Sequence, residues 1–457
     1  MFSNQSAEVS LNAPCRAVAS VLADRVESRF LVGASSVVAQ HHSNYNNNYN
    51  NNDGGGNQLH ILRYHSDVNV LGIDASLDHP TGAIQHVCTS PTDRTLVLTV
   101  PAASSNQTNS SSATTSAKAT LYKIPPSIME MNNEWNTHSS TADSETNGRD
   151  EYLYNDSSIA SSLAENGVGN ASTRSSSSSS NNRGRDTLEA KATLETDDNA
   201  NILDAKWRST PEEDVVGAAA MHGNVVTLND RGTITQWDLS LGMAESTRTL
   251  ATNTTAAADL TVPVMARPRV TFDPHQATNV TVSWDTSIRC FDLRSHDTDS
   301  ALAGTIPRAH RYGVTAMDYN PNKPYTMVTS GLDGLIRYWD MRTTKRPIMT
   351  TRGGHSHYAW SVQYNPFHDQ LVLSTGTDAI VNLWRMSTIS SAPLLPSDDY
   401  ASQTSAPNVR VARHEASDSV YGAAWGAADA WLYLYVAYDG KVSLQHVCSK
   451  EKYKILL

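Results

Sequence analysis

Between Thr315 and Asp340 the chain reads TAMDYNPNKPYTMVTSGLDGLIRYWD, and between Ser361 and Arg385 it reads SVQYNPFHDQLVLSTGTDAIVNLWR. Both stretches hold an alternating apolar run, an Asn-Pro turn, a second apolar run, an Asp turn and a strand closed by Trp. The turn prolines Pro274, Pro321 and Pro366 are 47 and 45 residues apart, and the closing aromatics Phe291, Trp339 and Trp384 are 48 and 45 apart. Period-2 apolar runs bounded by Pro, Asn, Asp and Gly read as short strands. Four such strands repeating every ~40–45 residues form one unit of a β-propeller, which buries its faces only against neighbouring units.

Working outward, seven units fit, and the predicted class is all-β: a seven-bladed WD40 β-propeller interrupted by long loops. Ile202–Asp238 (ILDAKW to TITQWD) is one unit, closed by Trp237, with Asp230-Arg-Gly232 as its tight turn. Val270–Asp292 is the next, with Phe-Asp at the strand end. The last, Tyr421–Val447, keeps an Asp-Gly turn and places Gln445 where the others have Trp. Two earlier units are read from Arg29–Ser36 with Asn57–His65, and from Ala83–Val100 with Ala119–Pro125. The expected division is an N-terminal segment at 1–26, blades 1–2 at 27–125, an insert at 126–187, blades 3–7 at 188–447 and a tail at 448–457. Ring closure is expected from an outer strand at Arg16–Leu22 or Lys452–Leu457, set beside Lys441–Val447.

Polar inserts are read at 44–56, 104–116 and 387–409, the last carrying Asp398-Asp399, and the 126–187 insert contains the serine run Ser175–Ser180. Such composition buries too little apolar surface to offset its ordering entropy, so disorder is expected over 126–187. Net charge of −11 argues against a general nucleic-acid binder, which needs a basic footprint. Cys15, Cys88, Cys290 and Cys448 form no CxxC pair, a pattern expected of a reduced, cytoplasmic protein. The opening MFSNQSAEVS lacks the features of a secretion signal, and no apolar run reaches membrane-spanning length.

The residues that look chemical repeat once per unit. His310, His355, His357 and His414 each precede the first strand of a unit, and the turn aspartates Asp285, Asp333, Asp378 and Asp439 lie one to a blade. Only His355 and His357 are close enough in sequence to suggest a metal pair. The favoured reading is a buried hydrogen-bond chain per blade, with His310, Ser330, Asp333 and Trp339 of the right types and order. Neither a phosphate-binding loop nor a nucleophile elbow nor a zinc-helix motif is present, so no cofactor, metal or enzymatic activity is expected. Protein partners are expected instead. Tyr312, Tyr358, Trp360 and Tyr421, in or beside the loops that open each blade, are the candidate contacts, because interfaces favour Tyr, Trp and Arg. Arg342 is a further candidate: Trp339-Asp340-Met-Arg342 matches the Trp-Asp-x-Arg pattern of propellers that serve cullin-4 ubiquitin ligases as substrate receptors. That is the alternative function.

The C-terminal blades carry a more particular likeness. His355-Ser-His-Tyr-Ala-Trp360, Asn365-Pro-Phe-His-Asp-Gln370, Ser390-Ser391 before Pro393, Asp418-Ser-Val-Tyr421 and Lys452–Leu457 resemble motifs of the EARP/GARP-interacting WD40 protein family. The resemblance is strong over Ile306–Leu457 and extends to Arg29–Val100. It implies an adaptor, peripheral at the trans-Golgi network and endosomes, that binds the EARP/GARP tethering complexes in endosomal recycling and retrograde transport. The Ser-rich insert and the Trp431-Leu-Tyr-Leu-Tyr435 run depart from the family pattern.

Overall fold

A computed structural model describes residues 6–35, 56–102, 116–130, 188–196, 199–208, 225–239, 244–251, 268–295, 298–393 and 408–456. The serine run and the Asp398-Asp399 pair lie outside them. The blades form one compact unit, Met1–Met129 with Thr187–Leu457; the second unit, Glu130–Asp186, is outside the described residues beyond its first residue.

Seven four-stranded antiparallel sheets make a seven-bladed propeller. Blade 5 shows the pattern. Its innermost strand is Val314–Tyr319, followed outward by Thr326–Gly331, Ile336–Asp340 and Met349–Thr351. The Asn-Pro turn works as an Asx turn: Asn320 Oδ1 accepts the amides of Asn322 (2.9 Å) and Lys323 (2.8 Å), and Asn365 Oδ1 does the same for Phe367 and His368 in blade 6. Where the second strand turns into the third, Asp333 Oδ1 accepts the Leu335 amide and Asp378 Oδ1 the Ile380 amide. The first strand of a blade and the Asp turn therefore share one end of the sheet, the upper face here. The Asn-Pro turn and the end of the third strand share the other, lower face.

The core is divided among the seams between blades. The seam between blades 4 and 5 packs Ile288 and Ile306 against Tyr319, Met327 and Trp339. The seam that closes the circle packs Phe30, Val32 and Leu62 of blade 1 against Leu432, Leu434 and Val442 of blade 7. Each sheet is apolar on both faces because each face meets a neighbour, which is why the inner strands read as continuous apolar runs.

Closure differs from the expectation. The fourth strand of blade 7 is Ala7–Ser10, paired antiparallel with Lys441–His446 from Ala7↔Leu444 to Ser10↔Lys441. Cys15–Ser20, which overlaps the expected closing segment, is instead the innermost strand of blade 1, so that blade begins inside 1–26. The C-terminal segment is a helix, Ser449–Leu456. Its Lys454 ammonium pairs with Glu451 one turn back (2.9 Å), an i,i+3 contact that a strand would pull apart. Blade 2 completes itself across the insert: its outer strand is Glu189–Leu194, not part of blades 3–7. The insert's first residues are also ordered. Pro126–Glu130 is a short helix because Ile128 and Met129 are apolar enough to bury in the seam of blades 1 and 2.

Two irregularities recur. In the innermost strand of six blades one residue is bulged out of register: Arg16, Gln85, Leu203, Thr315, Trp360 and Tyr421. A second register shift recurs in the third strand of blades 1, 2, 3, 4 and 6, at Leu62, Tyr122, Trp237, Phe291 and Trp384. A bulge bends the strand and re-aims one side chain.

Candidate functional site

The recurrent polar chain is present in blades 5 and 6 and rules the interior of the sheet. In blade 5, Trp339 Nε1 donates to Thr329 Oγ1 (3.0 Å), Thr329 Oγ1 lies 2.8 Å from His310 Nε2, and His310 Nδ1 lies 2.8 Å from Asp333 Oδ1. In blade 6, Trp384, Ser374, His355 and Asp378 repeat the chain at 3.0, 3.0 and 3.1 Å. The hydroxyl is Thr329, not Ser330. Trp339 stands opposite Met327, and the residue diagonal to it on the same face is Thr329. Ser330 points to the other face and bonds Thr315 Oγ1 at 2.9 Å. Gly331 and Gly376 let the imidazoles approach: a Cβ on either would lie 2.3 Å from His310 Nδ1 or 2.5 Å from His355 Nδ1.

Burial pushes the His310 and His355 imidazoles below their ordinary value, against the opposing pull of Asp333 and Asp378. Burial alone would raise Asp333. The His310 bond, the Arg311 amide and the Arg337 guanidinium (2.9 Å) outweigh it and hold the carboxyl well below the usual range. Each imidazole faces its aspartate through Nδ1 and its hydroxyl through Nε2. In both blades the named indole, hydroxyl, imidazole and carboxylate are partnered with one another.

Other blades use fragments. Trp237 Nε1 donates to Thr227 (2.8 Å), and in blade 2 His79 Nε2 reaches Thr99 (2.9 Å) beside the Tyr122 ring. Blade 7 departs from expectation. His414 lies in the outer strand Asn408–Glu415 of blade 6, with Nε2 2.7 Å from Tyr433 Oη, and Asp439 serves only its own turn, accepting the Lys441 amide. With Gln445 in the Trp position, nothing there requires a histidine. Asp285 is a turn residue in the left-handed region (φ 52°). His357 does not join His355: its Nδ1 lies 2.6 Å from Thr377 Oγ1. Among the described residues no group of three His, Cys, Asp or Glu side chains is arranged to hold a metal, and the cysteines are free.

Innermost strands also carry charged side chains that reach neighbouring blades. Asp204 accepts the Val270 amide (2.9 Å) and lies 3.2 Å from His86 Nδ1 and 3.3 Å from Arg269 Nη1. Asp318 accepts the Tyr364 amide (2.8 Å), and burial pushes its carboxyl up to about 6, with Lys206 opposing. Both carboxylates tie one blade's innermost strand to the next.

The surface candidate lies at the upper face. Leu332 and Trp360 are buried together there, with Tyr358 and Tyr421 packed against them. Trp360 meets Tyr421 edge-on (centroids 5.0 Å, 89°), and Tyr421 meets Tyr438 at 5.6 Å. The Arg16 guanidinium lies 5.2 Å from the Tyr421 ring and 5.0 Å from that of Tyr438. Three of these residues, Arg16, Trp360 and Tyr421, are the bulged ones. The run spans blades 5, 6, 7 and 1: Leu332 supplies the blade 5 end, and the bulged positions of blades 6, 7 and 1 supply Trp360, Tyr421 and Arg16. Tyr312 is 55% exposed with the Arg311 guanidinium 5.0 Å from its ring. Sequence reading missed Leu332, Tyr438 and Arg16. The signal was available for two of them: Leu332 and Tyr438 each precede an Asp-Gly turn, at Asp333-Gly334 and Asp439-Gly440. Arg342 is not part of this group. It lies at the lower face, its guanidinium forked onto Asp340 (2.9 and 2.7 Å) and 5.3 Å from the Tyr325 ring. Arg294 makes the same fork with Asp292 in blade 4, which gives the Trp-Asp-x-Arg pattern a role inside the blade.

Comparison with known proteins agrees with this architecture. Residues 222–384 match the family model described as EIPR1 beta-propeller. The chain is 28% identical to EARP and GARP complex-interacting protein 1 of Homo sapiens over 97% of its own length and 96% of that protein. It is 34% identical to EARP-interacting protein 1 of Caenorhabditis elegans over 41% of this chain and 52% of the other. WD repeat-containing protein DWA2 of Arabidopsis thaliana is 34% identical over 38% and 48% respectively.

Proposed function

We propose that this chain, an EIPR1-type propeller, is a non-catalytic adaptor that binds the EARP and GARP complexes and so acts peripherally at endosomes and the trans-Golgi network in recycling and retrograde transport. The observation that carries the reading is the near end-to-end similarity to proteins named for interaction with those complexes, on a fold whose repeated polar residues are occupied with one another. The upper aromatic run is the proposed contact. Tyr358 and Tyr421 are half-buried and held by neighbours, Tyr312 is open, and rigid aromatics give contact area at small entropic cost.

Affinity purification of the tagged chain from its own cells tests this. Wild type should recover tether subunits, and Tyr312→Ala with Tyr358→Ala should weaken recovery about 30-fold, the loss of one interface hot spot. Arg342→Ala, on the other face, should leave recovery unchanged. Absence of tether subunits from the wild-type eluate would sink the reading, and a cullin-4 adaptor lost on Arg342→Ala would replace it.

A further inference from the structure

Two groups of large apolar side chains are left open to solvent away from the aromatic run: Leu22, Val26, Val68, Val70 and Ile73 in blade 1, and a second group at the lower ends of blades 5 to 7, which lies beside basic residues. Tyr325 ends the first turn of blade 5, Ile348 precedes its fourth strand, and Phe367 occupies the first turn of blade 6; they are 38%, 50% and 42% exposed. Tyr453 and Leu456, on the C-terminal helix, are 64% and 61% exposed. The orientation of that helix is fixed. Glu451 is buried in an ion pair with Arg385 of blade 6, the Lys452 ammonium lies 5.8 Å from the Trp431 ring, and Ile455 packs into the seam of blades 6 and 7. Residues three apart on a helix share a side, so anchoring Glu451 and Ile455 turns Lys450, Tyr453 and Leu456 outward together.

The same face is basic on a chain of net charge −11. Arg342, Lys345 and Arg346 are exposed in the loop before Ile348, and Lys450 is exposed on the helix. Lys323, Lys452 and Lys454 are half-buried: the Lys323 ammonium donates to the Ile389 and Ser390 carbonyls (3.1 and 3.2 Å), that of Lys452 lies by the Trp431 ring and that of Lys454 pairs with Glu451. Of the acidic groups nearby, Asp340 and Glu451 are ion-paired, whereas Asp369 and Asp429 accept from neutral donors and keep their charge. Asp369 takes Asn320 and Ser391, Glu451 takes Arg385 and Lys454, Asp340 takes Arg342, and Asp429 accepts the Trp431 amide. Residues 394–407, with Asp398 and Asp399, lie outside the described residues.

We propose that the lower face of blades 5 to 7 docks on an anionic membrane surface. Tyr453 and Leu456 enter the headgroup region, while Lys345, Arg346 and Lys450 lie over lipid phosphates. Stable peripheral binding takes two signals, apolar insertion and a polybasic patch, and both occur here on one side of one fold. Charge decides the orientation: an anionic bilayer attracts this face while the chain as a whole is negative. A membrane fits better than an acidic peptide, because the apolar side chains project singly from three loops and a helix at the ends of the strands. The inference does not rest on the adaptor reading, and it leaves the upper aromatic run free for a protein partner.

The test is co-sedimentation of the purified full-length chain with vesicles of phosphatidylcholine alone or with about 30% phosphatidylserine, a surface of the kind that attracts polybasic segments. Wild type should pellet with the anionic vesicles and not with the neutral ones, and less so as salt is raised. Lys345→Ala with Arg346→Ala should lower partitioning about 20- to 30-fold, at about fivefold per charge. Tyr453→Ala with Leu456→Ala should lower it as well. Arg311→Ala, on the upper face, should change nothing. All these side chains are exposed, so unchanged thermal unfolding keeps the comparison clean. Equal pelleting with both vesicle types, no pelleting with either, or binding indifferent to Lys345→Ala with Arg346→Ala would overturn the proposal. So would a patch that captures an acidic peptide yet leaves anionic vesicles in the supernatant.

Discussion

Thr329→Val should destabilise the propeller far more than Ser330→Ala, although the two residues are adjacent and both fully buried. Valine nearly matches threonine in shape, so the substitution leaves no cavity and isolates the hydroxyl. Removing that hydroxyl takes the partner from Trp339 Nε1 (3.0 Å) and from His310 Nε2 (2.8 Å) at once. Each buried polar atom left unpaired costs about 1–3 kcal/mol, so the expected loss from the two is about 2–6 kcal/mol. Ser330→Ala costs at most about 1 kcal/mol, because the Thr315 hydroxyl keeps its second partner, the Ala359 carbonyl at 2.5 Å. Urea unfolding followed by tryptophan fluorescence reads both as midpoint shifts at constant slope. Adding Trp339→Phe to Thr329→Val removes one orphan, and the pair should be less destabilised than the sum of the singles by about 1–2 kcal/mol. A Ser330→Ala loss equal to or larger than that of Thr329→Val would refute the assignment of the hydroxyl. A Thr329→Val loss below about 1 kcal/mol would refute the claim that the chain is structurally important.

Two further perturbations probe the ring. Deleting residues 1–10 removes the strand that pairs with Lys441–Leu444 and the Glu8–Lys441 ion pair (2.7 Å), exposing an edge; the melting temperature should drop by several degrees and aggregation should rise, whereas an unchanged melting profile would contradict closure by Ala7–Ser10. Asp318 has its folded-state carboxyl raised to about 6 from 3.8, so the stability it contributes is present below pH 3.8 and is lost as pH rises through 6. Asp318→Asn should therefore stabilise the chain at pH 8 by about 1–3 kcal/mol relative to wild type, by about half of that at pH 5 and by almost nothing below pH 3.8, read from unfolding midpoints at the three pH values; the lower end allows for the partial solvent access of this carboxylate.

How much of this was legible in sequence depended on whether a residue's role was set by period or by its third-dimension neighbour. The turns, the second and third strands and the closing aromatics recur at fixed spacing, and each inner strand is apolar on both faces, so the seven units could be counted. Outer strands carry no such signal. Glu189–Leu194, Glu245–Ala251 and Asn408–Glu415 are largely exposed, and Ala7–Ser10 is four residues long with no apolar run. Their place comes from pairing alone, which is why closure was expected from the wrong segments. The Ser330 error has a similar origin. Two adjacent hydroxyls in Thr329-Ser330 are indistinguishable by composition, and only the register of Trp339 opposite Met327 selects the first. The histidine of blade 6's outer strand, His414, stood at the expected sequence distance from the next unit, yet its pairing with Val381 turned it onto Tyr433.

The bulge in the innermost strands joins the fold to its surface chemistry. It occurs in blades 1, 2, 3, 5, 6 and 7, so it is part of how a blade is built and cannot by itself mark a site. What varies is the side chain that it re-aims. In blades 2, 3 and 5 that residue is Gln85, Leu203 or Thr315, and Thr315 is spent on Ser330 and the Ala359 carbonyl. In blades 6, 7 and 1 it is Trp360, Tyr421 or Arg16, three neighbours around the ring, stacked on one another or on Tyr438. An equivalent backbone position thus carries aromatic and guanidinium groups over one contiguous arc and smaller or aliphatic groups over the other. We propose that the aromatic and guanidinium arc is the side from which a partner is engaged, as the Tyr312 and Tyr358 substitutions test.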